Sequence, residues 1–186
     1  MTAIASRWTV LTRHIGRFVG DRRALGAVEF AMTAPFLILL YIGGYQLMDA
    51  ISAYRKVTIT ARTLADLTSQ YTTMTVSQAD SILNGARQVM TPYSTANASL
   101  SITHIKINKK GVASVDWTES NDGTKVKKKN LAVPTDILVS NSYVVLAQIT
   151  YRYTPVVGGS LIGPLTFRDR IFMNPRRSDS IPCSDC

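Results

Sequence analysis

The sequence is poor in the residues that most metal and nucleophilic chemistry needs, with two histidines and two cysteines among 186 residues. A structural zinc site takes four nitrogen or sulfur ligands, and His14 and His104 lie far along the chain from the Cys183-x-x-Cys186 pair. Zinc is not expected. A redox enzyme places such a pair at a helix start, whereas this one sits in a tail just after Pro182. There is no glycine-rich phosphate loop, and no nucleophile, base and orienting acid cluster by spacing. Neither catalysis nor a bound cofactor is expected. Aromatics are missing around the basic stretch Lys125-Val126-Lys127-Lys128-Lys129, which follows Asn121-Asp122-Gly123. It reads as a solvated loop, and no nucleic-acid partner is implied.

Charge is the next absence. Between Leu25 and Met48 only Glu29 is charged, and at about 1.5 Å of rise per residue this stretch spans about 36 Å, enough for the apolar part of a bilayer. A membrane helix follows. A carboxylate at mid-membrane depth costs about 3 kcal/mol, so Glu29 is read as a functional group whose partner must be named. The competing reading is that it lies shallow enough to reach headgroup water. Pro35 falls inside the run and bends or loosens the helix, a harmless kink in a membrane segment. Gly43, Gly44 and Gln46 mark the outer end, where small residues let another helix approach.

The formal net charge of +9 is unevenly spread: Arg7, Arg13, Arg17, Arg22 and Arg23 stand against Asp21 before Leu25, so the remainder carries +5. Cations flanking a membrane helix stay on the cytoplasmic side. Only Arg55 and Lys56 follow the helix closely, so the bias puts the N-terminus inside and the large C-terminal part outside. The apolar run exceeds the roughly 7 to 15 residues of a secretory signal and no Ala-x-Ala site ends it.

Glycine and proline are missing from residues 45 to 75. Over that span Leu47, Ala50, Tyr54, Val57, Ala61, Leu64, Thr68 and Tyr71 recur at spacings of three and four, broadened by Ile51, Leu67 and Met74. The helix is therefore expected to run on from the membrane as an amphipathic one, its inner face packed on its own domain. Ser77 and Asp80 suggest a capping-box start for a second helix ended before Pro92. From Leu100 the period changes to two. Leu100 to Ile107 and Val112 to Trp117 flank an Asn108-Lys109-Lys110-Gly111 turn, with a slip in apolar parity that predicts a bulge or a twist near His104. Ser142 to Tyr153 is the clearest strand, and Phe167 to Met173 a weaker last one. Helices first and strands after predict an α+β fold, with a small antiparallel sheet against the long helix. The expected organisation is a basic leader over 1–24, the membrane and extended helix over 25–75, and an α+β domain over 76–186.

Arg22-Arg23-Ala24-Leu25, then Glu29-Phe30, Ala34-Pro35 and an aliphatic run, resembles the processing site of TadE-like pseudopilins, which help to build Flp (Tad) type IVb pili. Trp117 ending the second strand, Tyr151-x-Tyr153-x-Pro155, and Pro175-Arg176 followed by Cys183 are more loosely similar to the back half of that family. The resemblance implies a pilin-like fold and cleavage by a prepilin peptidase between Ala24 and Leu25. Glu29 then becomes the fifth residue of the mature protein, and Glu29 and Phe30 act in assembly. It further implies placement in the bacterial inner membrane with a periplasmic domain, and partnership with other pilin or pseudopilin subunits and the Tad assembly machinery. The family usually has Gly before the cut, where this chain has Ala24; a cut after Gly26 would leave Glu29 only third. An outer, oxidising compartment suits either a local Cys183–Cys186 disulfide or pairing with another chain. The alternative function is an unprocessed bitopic envelope protein with a periplasmic binding domain.

Overall fold

The first described element is a helix of 48 residues, α1 (Arg22–Ser69), unbroken by Pro35. The computed structural model describes residues 22–124, 133–157 and 163–186. The expected basic leader, apart from the helical residues 22–24, and the Lys125–Lys129 stretch lie outside the described residues. By contacts the chain divides into Met1–Leu47 and Met48–Cys186.

In the first unit α1 is apolar on all sides. Leu25, Phe30, Phe36 and Leu39 are each more than 60% exposed, and this is the one described helix long and apolar enough to cross a membrane. Because lipid tails are apolar, a spanning helix needs no polar face.

The second unit is α+β. After α1 come a short helix α2 (Val76–Gln88) and strands β1 (Ala98–Ile107), β2 (Ala113–Ser120), β3 (Ser142–Tyr153) and β4 (Leu165–Met173). They form one antiparallel sheet in the order β2-β1-β3-β4. One face of the sheet, carrying Leu100, Ile102, Trp117, Val145, Ala147, Ile149, Tyr151 and Tyr153, shares a core with both helices. The helices contribute Ala53, Val57, Ala61, Leu64 and Ala65 from α1, and Ala79, Ile82, Leu83 and Ala86 from α2.

The buried stripe of α1 keeps Val57, Ala61, Leu64 and Thr68 of the expected one and departs from it elsewhere. Ala53, Thr60 and Ala65 are fully buried, whereas Leu47, Ile51, Tyr54 and Leu67 are exposed. Large rings on the sheet explain the change: with Tyr151 and Tyr153 filling the inner face, the helix is received along its small residues, and Tyr54 meets Phe167 edge-on at the rim, 5.8 Å between centroids. The helix also ends at Ser69, short of the expected residue 75. The Ser69 carbonyl accepts from the Arg176 backbone N–H at 2.9 Å, and Met74 is drawn into a parallel bridge with Cys183.

The capping box of α2 stands two residues earlier than Ser77 and Asp80 suggested. The Thr75 hydroxyl accepts from Gln78 N–H while Gln78 Oε1 accepts from Thr75 N–H, satisfying two donors at once. The β1–β2 turn is as expected, closed by Asn108 Oδ1 accepting from the N–H groups of Lys110 and Val112, with Gly111 at φ +74°. The bulge lies beside His104, but its extra residue is in β2: His104 faces Trp117 and Ile105 faces Val115, leaving Asp116 unpaired. The parity slip along β1 has a separate cause. Ile105 and Ile107 belong to a second apolar cluster, with Ala113, Val144 and Leu146, against which Val133, Leu138 and Phe172 pack.

Candidate functional site

Each unit holds one group of residues with chemistry of its own. In the first unit it is Glu29. Its side chain is exposed on α1 and has no hydrogen-bond or ion-pair partner among the described residues; its backbone carbonyl accepts from the Thr33 hydroxyl at 3.0 Å. Leu25 and Phe30 are exposed, and Ala24 is helical. A Cβ placed on Gly26, Gly43 or Gly44 meets nothing within 4 Å, so those three faces are open to a neighbour. One carboxylate thus stands alone on an apolar surface.

In the second unit the group was not foreseen from the sequence. Asp49, the first charged residue after Glu29, accepts from two phenols: Tyr93 Oη at 3.0 Å to Oδ1 and Tyr153 Oη at 2.5 Å to Oδ2. Tyr93 also reaches the Asp49 backbone carbonyl at 3.1 Å. Burial, and then the Asp49 carboxylate beside it, raise the Tyr93 pKa above the usual phenol range. The clamp ties α1 to the loop after α2 and to the end of β3. Its signal in the sequence was Tyr153 in the strand and Asp49 at the end of the uncharged run, but nothing linear joins them.

The C-terminal residues Asn174 to Cys186 form a strap over the other end of α1. The Arg176 guanidinium pairs with Asp66 at 2.7 Å. Met74 N–H donates to the Pro182 carbonyl at 2.9 Å, and Asp185 Oδ1 accepts from Val76 N–H at 2.9 Å, at the start of α2. Cys183 and Cys186 are bonded to each other, with Cα atoms 5.7 Å apart. Asp185 comes within 4.8 Å of both sulfurs. With the sulfurs joined, neither is a thiolate, and the trio offers no metal site in this state.

His104 and Trp117 hold the middle of the strap. Trp117 Nε1–H donates to the Ile181 carbonyl at 2.7 Å, and Ile181 N–H donates to His104 Nε2 at 3.2 Å. With Nε2 accepting, the ring proton sits on Nδ1 and is donated to the Asp116 carboxylate 3.0 Å away. The imidazole is fully buried between Trp117 and Tyr143, whose rings stack on it at 5.6 and 5.2 Å. Burial lowers its pKa below the usual histidine value, against the opposing pull of Asp116. His104 is thus a strand residue beside a bulge, as its sequence suggested, and the bulged Asp116 is what fixes its tautomer.

Comparison with known protein families, with curated proteins and with solved structures finds no match to this chain.

Proposed function

We propose that the protein is a minor pseudopilin or pilus-assembly component of a Flp (Tad) type IVb pilus system. It is cut between Ala24 and Leu25 by a prepilin peptidase and acts by packing its helix among other pilin subunits. The observation that carries this reading is Glu29: a lone exposed carboxylate on an apolar helix, with paired arginines and a small residue just before it. Cleavage after Ala24 creates an α-ammonium on Leu25, one turn from the Glu29 carboxylate. In lipid, an uncompensated charge is costly and a pairing is worth most. Helices that pair the ammonium of one subunit with the carboxylate of the next are thereby driven together in register. The arginines before Leu25 keep the N-terminus cytoplasmic and leave the α+β domain in the periplasm.

Glu29→Gln tests the reading, because it removes the charge while leaving the leader and the domain core untouched. The variant is expected to insert at normal levels yet fail to support pili. Normal piliation at normal protein level refutes the charge-pairing role. Sequencing the N-terminus of the membrane-extracted protein tests the cleavage: Leu25 is expected, and an intact Met1 favours an unprocessed bitopic envelope protein instead.

A further inference from the structure

The sheet face turned away from the helices carries a cluster that the proposed function does not use. Along β3, Ile149, Tyr151 and Tyr153 point into the core, so Gln148, Thr150 and Arg152 point the other way. Opposite them on β4 the register sets Arg170 against Gln148, Arg168 against Thr150 and Thr166 against Arg152. Arg168 and Arg170 are two residues apart on one strand, about 7 Å along it, and neighbouring strands lie about 4.8 Å apart. Three guanidinium groups therefore share one patch of two strands, and all three are exposed.

None of the three makes an ion pair or a side-chain hydrogen bond among the described residues. Asp169, between two of them, is on the core side of the strand and accepts from Arg170 backbone N–H at 2.8 Å. Asp122 reaches the same face through Ser99, but it is already engaged by the Ser99 and Ser120 hydroxyls and Thr124 N–H. Charged residues on an edge strand also guard against strand-to-strand aggregation, which accounts for Arg168 and Arg170. It accounts less well for Arg152, which lies on β3, between β1 and β4 in the sheet order, one residue past the end of its pairing with β1.

We propose that this face binds an anionic polysaccharide, its carboxylates held by Arg152, Arg168 and Arg170 and its hydroxyls by Gln148, Thr150 and Thr166. Guanidinium presents a planar fork that matches a carboxylate with two parallel hydrogen bonds. A protein partner is a poorer fit, since protein interfaces centre on aromatic or aliphatic anchors, and the apolar residues nearest on this face, Leu146 and Phe172, are already taken up by the second apolar cluster. Single-stranded nucleic acid needs aromatic platforms for its bases. Of the rings on these strands, Tyr143, Tyr151, Tyr153 and Phe167 alternate onto the opposite face, and Phe172, which shares the face of the arginines, is packed into the second apolar cluster.

The test is binding of the full chain, in detergent micelles at low salt, to polygalacturonate, with neutral dextran, poly-glutamate and oligo-dT as comparators. The triple variant Arg152→Gln, Arg168→Gln, Arg170→Gln is set against Arg62→Gln, Lys109→Gln, Lys110→Gln, which removes the same charge from exposed positions elsewhere. The parent is expected to bind polygalacturonate and not dextran. The first triple is expected to weaken binding at least about ten-fold through loss of the bidentate pairs, and the second by no more than about three-fold through the general field. Equal losses in the two triples, or no binding by the parent, overturn the proposal. Tighter binding of poly-glutamate or oligo-dT than of polygalacturonate overturns the choice of a glycan. Unaltered thermal unfolding of both triples confirms that the comparison is between folded proteins.

Discussion

The two halves of α1 are one continuous helix and opposite in what they do with their apolar groups. From Leu25 to Leu47 the large side chains point outward on every side, while from Met48 to Ser69 a stripe of Ala53, Val57, Thr60, Ala61, Leu64 and Ala65 is fully buried against the sheet. Among the described residues of its own unit nothing covers the first half, which is long and apolar enough to cross a membrane. The second half finds its solvent inside the chain. The second half is helical over a run free of glycine and proline from residue 45 to 69, whereas the first half stays helical through Gly26, Pro35, Gly43 and Gly44. What separates them is the size of the residues on the stripe: leucine and phenylalanine suit lipid, whereas alanine and threonine let a helix axis approach a sheet already filled with tyrosine.

A matched pair of truncations should break this likeness most sharply. Leu64→Ala opens a cavity in a packed core and is expected to cost about 2 to 5 kcal/mol of domain stability. Leu39→Ala, on the exposed half, should change domain stability by no more than about 0.5 kcal/mol. Urea unfolding in micelles, followed by Trp117 fluorescence in a Trp8→Phe background, measures both; equal effects would mean that the two halves are not distinct environments.

The Asp49 clamp lies just inside the second half and should give the next largest effect. Asp49→Ala takes the carboxylate away from the buried Tyr153 and half-buried Tyr93 phenols, at an expected cost of about 1 to 3 kcal/mol. Tyr93→Phe and Tyr153→Phe, which remove a donor each, should cost less singly. In a double-mutant cycle each is expected to couple to Asp49 by about 0.5 kcal/mol or more. Strict additivity would show that the clamp contributes nothing to holding α1.

A pH series should separate the domain from the exposed half of α1, which has no buried histidine among the described residues. His104 has a lowered pKa in the folded protein, so the folded state resists a proton that the unfolded chain accepts. Above the unfolded value of about 6.5 the ring is neutral in both states and its contribution is fully present. As pH falls below that value stability is lost, by up to about 1.4 kcal/mol per pH unit, until the folded pKa is passed. Protonation also turns Nε2 from acceptor to donor, so the Ile181 N–H loses its partner and the strap is the first contact affected. Unfolding at pH 7.5 and pH 5.5 should show the loss in the parent and a flatter profile in His104→Gln; identical slopes would remove His104 from the strap.

The smallest effect is expected at the outer end of the strap. Arg176 and Asp66 are 56% and 40% exposed, and pairs in water of this kind contribute about 0 to 1 kcal/mol. Arg176→Gln should lower stability by about 0.5 kcal/mol or less at low salt and by nothing measurable at 1 M salt. A salt-insensitive loss above that range would mean the strap depends on the side chain for packing rather than charge.

Much of the local structure was legible in the linear chain. Strict alternation from Ser142 to Tyr153 gave β3 its observed bounds, because strand period two is set by the residue's own geometry. The uncharged run announced the membrane-length helix for a similar reason: length and lack of charge act locally. The Asn108-to-Gly111 turn was readable because one asparagine side chain and one glycine satisfy it within five residues. Glu29 stood out by being the only charge in its run.

What depended on distant partners was not legible. The rotation of α1 toward its alanines was decided by rings on β3 roughly a hundred residues away, where the helix pattern alone favoured Tyr54 and Leu67. Asp49 became a clamp only when Tyr93 and Tyr153 converged on it, and the C-terminal tail became a strap only where Ser69, Met74, Val76, His104 and Trp117 offered it unmet backbone and side-chain partners. The arginine patch follows the same rule, since Arg152 and Arg168 are neighbours by register and not by sequence. Propensity, period and turn chemistry are summed over adjacent residues, so the chain carries them by itself. The pairing of a buried hydrogen-bond donor with its acceptor, or of a small residue with a large one, is a property of two segments at once, and folding alone selects which two.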